Sequence, residues 1–111
     1  MVIIETPIFT RRIRAILSDE EYRLLQIRLV NKPDSGKIIR ASGGLRKLRW
    51  SAGGHGKRGG IRVIYYWFVS HDTLLLLFVY PKGEQGELTP KQLKQLKRVV
   101  VDSLNQSSHA L

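Results

Sequence analysis

The chain has 111 residues, 42% of them hydrophobic, with no cysteine. That is room for one domain with one core, too apolar for a disordered polypeptide, and without disulfides or thiolate metal sites. Nineteen Lys and Arg against nine Asp and Glu leave a net charge of +10, an excess that points to an anionic partner, nucleic acid first.

In chain order, residues 2–5 read as a short strand. Pro7 fits the first turn of a helix, and Ile8, Phe9, Ile13, Ile16 and Leu17 follow at roughly helical spacing. Ser18-Asp19-Glu20-Glu21 has the capping-box pattern, opening a second helix with Tyr22, Leu25 and Leu29 on one face. Residues 31–36, with Pro33 and Gly36, end it. Residues 45–50 form a strand of high charge density, and a glycine-rich loop follows over 51–60. Residues 61–69 are a strand rich in β-branched and aromatic side chains. A turn at 70–72 leads into a near-continuous apolar strand over 73–80, as at a sheet centre. After a loop over 81–88, Thr89 caps and Pro90 starts a last helix with Leu93, Leu96, Val100 and Leu104 as its apolar stripe. Residues 105–111 are expected to fray. The order is β-α-α-β-β-β-α. It predicts a single α+β domain over 1–111, with an antiparallel sheet and the helices packed on one face.

No apolar run approaches the ~18 residues of a membrane span. The amino-terminal residues lack a signal-peptide pattern. Both point to the cytoplasm and away from a membrane.

Acidic residues are absent from 38 to 70, while Arg46, Lys47, Arg49, Lys57, Arg58 and Arg62 fall between 46 and 62. Alternation puts Lys47 and Arg49 on one strand face, with Leu48 and Trp50 on the other. Arg62 sits near the start of the next strand and Lys82 just past the end of the third. Such a sheet offers an electropositive floor for phosphates. Gly56-Lys57 is no phosphate-binding loop of the nucleotide-hydrolysing kind. Arg58 replaces the hydroxyl residue that would hold magnesium, and no helix follows. His55 lies in the basic loop, His71 in a turn and His109 in the tail, so they form no metal-ligand cluster. No carboxylate pair is placed for acid–base work. Of the aromatics, Tyr65 to Phe68 suit the core, and Tyr80 is the better candidate to face a substrate.

The ordered set 43–49, 56–60, 61–66 and 80–84, with Leu88-Thr89 and the upstream 17–22, resembles the HigB-type branch of the RelE/ParE toxin superfamily over nearly the whole chain. These are toxins of type II toxin–antitoxin systems. The resemblance implies a compact RelE-like fold and a metal-independent, cofactor-free endoribonuclease that cuts messenger in the ribosomal A site. It also implies neutralisation by an antitoxin, often one with a helix-turn-helix domain. Carried over by position, Arg62, Lys82 and Lys57 are catalytic cations. Arg46, Lys47, Arg49 and Arg58, with His55 beside them, hold RNA. Some relatives place an aromatic or histidine near the end of the groove, and 83–88 has neither. Either Tyr80 takes that role or proton transfer relies on lysines. A gyrase inhibitor of the ParE kind, and an RNA-binding module without catalysis, are the alternatives. The dense cations speak against the first.

Overall fold

The computed structural model describes residues 1–51 and 60–109, with side chains described as far as residue 105. Strand β1 (Val2–Glu5) leads into helices α1 (Pro7–Ile16) and α2 (Asp19–Asn31). Strands β2 (Lys37–Ile38), β3 (Arg46–Ser51), β4 (Gly60–Phe68) and β5 (Thr73–Pro81) follow, and helix α3 (Pro90–His109) closes the chain.

Each helix starts where the sequence provides a cap. The Thr6 hydroxyl oxygen accepts the Phe9 N–H at 3.2 Å, with Pro7 in the first turn. Ser18 and Glu21 exchange hydrogen bonds in the expected capping box, at 2.9 and 3.2 Å. Thr89 and Gln92 repeat that exchange ahead of α3, at 3.0 and 3.1 Å. These contacts satisfy N–H groups that a helix start leaves unpaired. The backbone of α3 stays helical through His109, beyond the point where the sequence leads one to expect fraying.

The sheet order is β1-β5-β4-β3-β2. The meander β3-β4-β5 is antiparallel, as expected. Two features depart from the sequence reading. β1 joins the far side of β5 in parallel, so the sheet is mixed. A two-residue strand, β2, pairs antiparallel with β3 at the opposite edge. It is too short to carry a periodicity.

The α+β class follows the sequence reading, and α1 and α2 form a helical layer on one face. Phe9, Ile13 and Leu17 join Leu25 and Leu29 of α2 over the inward side chains of the sheet, among them Leu48, Val63, Tyr65, Leu74, Leu76 and Val79. Alternation sends Ile64, Leu75, Phe78 and Tyr80 the other way. There they form a second cluster with Leu45, Leu77 and Val100, and Leu88, Leu93, Leu96 and Val99 pack against it. α3 and the loop before it therefore cover part of that second face.

A bulge sets the phase between the two faces. Ile64 pairs with Phe78 but Tyr65 pairs with Leu76, which leaves Leu77 as the extra residue. A bulge re-aims the side chains beyond it. Here it brings Tyr80 opposite Arg62.

Candidate nucleic-acid interface

The part of the second face that α3 leaves open carries cations. In β3–β4 register, Arg49 lies directly across from Arg62. In β2–β3 register, Lys37 lies directly across from Lys47. Cross-strand partners share a face, and Lys47 and Arg49 are two residues apart. All four cations thus project from one side of the sheet. Arg49 and Lys37 are exposed, while Lys47 and Arg62 are half-buried. Like charges directly opposite one another destabilise a strand pair. This sheet contains two such pairs in succession, a pattern that folding alone does not favour.

Lys82 follows β5 and is exposed. Its backbone N–H donates to the Gly60 carbonyl at 2.9 Å, so it is tied to the start of β4, two residues from Arg62. The expected proximity of those two positions at one end of a hairpin is present. The loop between β3 and β4 leaves from the same end, where Ser51 pairs with Gly60. His55, Lys57 and Arg58 belong to that loop and lie outside the described residues.

Two expected members sit elsewhere. Arg46 pairs with Tyr65 and so lies on the helix-covered face. Its guanidinium donates to the Gly36 carbonyl at 2.8 Å. It braces the connection after α2 and is separate from the exposed cations. Tyr80 was expected to face a substrate, but it is 0% exposed. The loop after β5 folds over it, and its hydroxyl donates to the Gly86 carbonyl at 3.3 Å. Burial pushes its hydroxyl pKa up, the Glu87 charge adds to that, and Arg62 opposes it. A phenol so placed stays protonated at neutral pH.

The sequence reading missed the residue that meets the cations. Glu87 reaches from the loop before α3 to Lys47, whose ammonium donates to both carboxylate oxygens at 3.0 and 3.1 Å. That hydrogen bonding and the Lys47 charge hold Glu87 below its ordinary pKa, and Arg49 and Arg62 add to the effect. Its side chain remains 81% exposed. At neutral pH it is an ionised carboxylate held on the Lys47 ammonium.

A cleft of about 630 Å³ opens beside this pair, at the β2–β3 edge. Among the described residues, Arg28, Lys37, Arg40, Lys47 and Arg49 line it, with Glu87 as the one carboxylate. Arg28, Lys37 and Arg40 were also missed, because nothing in the local sequence ties 28–40 to the charged strand. Among the described residues, no group of three His, Asp or Glu could hold a metal ion, and no helix is long and apolar enough to cross a membrane.

No family model matches the sequence. Among solved structures, the chain is similar to the E. coli toxin RelE in its free state, in a form with two arginines replaced by alanine. The TM-score is 0.55 and the identity 11%, over 76% of this chain and 85% of that one. At that identity the likeness is one of fold: this chain has a RelE-like fold.

Proposed function

We propose that this chain is the toxin of a type II toxin–antitoxin pair and that it cleaves messenger RNA on the ribosome. The observation that carries this reading is the set of cations gathered on one open face, with Arg49 across from Arg62 and Lys82 beside the start of β4. The RelE-like fold and the sequence resemblance to HigB-type toxins point the same way.

In the proposed reaction the ribose 2′-oxygen attacks the neighbouring phosphorus. The 2′-hydroxyl gives up its proton to water, and the O2′–P bond forms as the P–O5′ bond breaks. A 2′,3′-cyclic phosphate remains on one fragment, and the departing 5′-oxygen takes up a proton. Negative charge grows on the phosphoryl oxygens during attack. Fixed cations therefore stabilise the transition state more than the ground state. Arg62 and Arg49 are assigned to those oxygens, and Lys82 to the charge on the departing oxygen. Lys47 holds the adjacent phosphate once Glu87 yields its place. Lys57, Arg58 and His55 join the proposal on sequence grounds. Tyr80 shapes the floor under Arg62 from its enclosed position. An antitoxin carrying a helix-turn-helix domain is the proposed neutralising partner, and the cytoplasm the site of action.

Expression without a partner is expected to arrest growth, with messenger cut within codons at the ribosome. Growth at the normal rate, with abundant folded protein in the cell, would contradict this reading. Arrest with intact messenger and damaged DNA would instead assign the chain to gyrase inhibition.

A further inference from the structure

We propose that the cleft at the β2–β3 edge is a second subsite for the phosphate backbone of single-stranded RNA, with Lys37 and Arg40 as its anion-binding side chains. The proposal rests on the reading of the cationic face as an RNA site, and extends it to residues outside the reacting centre.

The first observation is a charge imbalance. Five cations line the cleft against one carboxylate, and that carboxylate is engaged by Lys47. Lys37 and Arg40 are exposed, and neither is in an ion pair with any described residue. Arg28 at the far wall donates to the Ser35 hydroxyl at 3.2 Å, which holds its guanidinium against the cleft.

The second is continuity. Lys37 faces Lys47 in register, and Lys47 stands two residues from Arg49, which faces Arg62. With strands ~4.8 Å apart and ~3.4 Å per residue, Arg62 and Lys37 are on the order of 12 Å apart along one face. A strand whose reacting phosphate sits at Arg62 would meet Lys37 and Arg40 as it leaves over the sheet edge.

The third is that the edge is held in place. Tyr65, 0% exposed, accepts the Gly36 N–H at 2.8 Å and donates to the Pro33 carbonyl at 2.6 Å. Arg46 grips the Gly36 carbonyl from the same side. These bonds fix the residue immediately before Lys37. They hold Lys37 opposite another lysine, where like-charge repulsion works against the pairing. A polyanion bound across both lysines would relieve that repulsion.

The test uses the full chain and a 2′-O-methylated oligouridylate dodecanucleotide, which offers phosphates but no attacking hydroxyl. Binding is measured against salt for the wild type, for Lys37→Ala/Arg40→Ala, and for Arg11→Ala/Arg14→Ala. The last variant removes the same charge from exposed positions on α1. Loss of two phosphate contacts lowers the slope of log affinity against log salt by about 1.4. That drop is expected for Lys37→Ala/Arg40→Ala, with a much smaller change for the α1 control. Arg40 lies outside the strand, so Arg40→Ala alone keeps the test open if the double variant folds poorly; its expected drop is about 0.7. Folded variants with the wild-type slope would overturn the proposal while leaving the nuclease reading intact. An oligoglutamate peptide whose binding is lost in the variants, while RNA binding is not, would assign the edge to an acidic protein and also overturn it. Wild-type protein that binds the oligonucleotide with this slope but never cuts messenger would overturn the nuclease reading alone.

Discussion

Arg62 and Glu87 divide the residue-scale account between them. Arg62 is half-buried, and beyond a 3.3 Å contact from its guanidinium to the Ile61 carbonyl it is in no ion pair among the described residues. In the proposed function it is left to meet a phosphate, and with no such ion pair its removal is expected to cost the fold little. Arg62→Ala is therefore expected to lower the cleavage rate ~10²–10³-fold while the melting temperature stays within a degree or two of wild type. A large fall in melting temperature would recast Arg62 as a brace of the sheet. Glu87 is ionised at neutral pH, and in the proposed function it competes with RNA for Lys47. Exposed ion pairs of this kind contribute ~0.2–1 kcal/mol, so Glu87→Gln is expected to tighten oligonucleotide binding by up to about fivefold. Its lowered pKa gives the sign with pH. The Lys47 pair is intact above the ordinary carboxylate range and is lost as pH falls through the depressed value. The advantage of Glu87→Gln should therefore shrink in acid, and weaker binding by the variant at neutral pH would contradict the competition. Simple alternation already placed Lys47 and Arg49 together in the sequence. The same rule separates Arg46 from them, and its hydrogen bond to Gly36 shows what it does on the other face. Tyr80 was out of reach because the run from Leu74 to Tyr80 is apolar throughout. Such a run has no period to reveal the bulge at Leu77 or the loop that closes over the ring.

At the scale of elements, the helices were legible because their starts are written in side chains: Thr6 with Pro7, Ser18 with Glu21, and Thr89 with Gln92. β2 was not, since two residues make no pattern and its position depends on Tyr65, almost thirty residues away. That tyrosine is the element-scale control point. Its hydroxyl satisfies one buried donor and one acceptor of the α2–β2 connection. Tyr65→Phe would leave the Gly36 N–H and the Pro33 carbonyl without that partner, at a cost of ~1–3 kcal/mol. A fall of several degrees in melting temperature is expected, at ~4–8 °C per kcal/mol for a domain of about this size. Melting at the wild-type temperature would mean that the connection is held by other contacts. Gly36 permits this approach. A Cβ there would lie 2.8 Å from the Tyr65 ring, so Gly36→Ala should weaken the same connection.

For the whole molecule, the net charge of +10 acquires a direction once the chain folds. In the proposed function, phosphates meet an open face whose cations come from three strands and from the start of the loop after β5. Composition indicated an anionic partner, and the fold class followed from the order of elements. How the cations converge did not follow, because it depends on strand register. Binding of wild-type protein to RNA should weaken steeply with ionic strength, since each phosphate contact on a single strand adds ~0.7 to the salt slope. An affinity that is flat from low to moderate salt would remove the cationic face from the account. The most direct test of the central claim is primer extension on messenger incubated with translating ribosomes and purified protein, run beside Arg62→Ala and Lys82→Ala preparations of matched melting temperature. Discrete cuts within codons are expected for the wild type, reduced at least a hundredfold in both variants. Intact messenger with the wild type, or wild-type cutting by both folded variants, would contradict it.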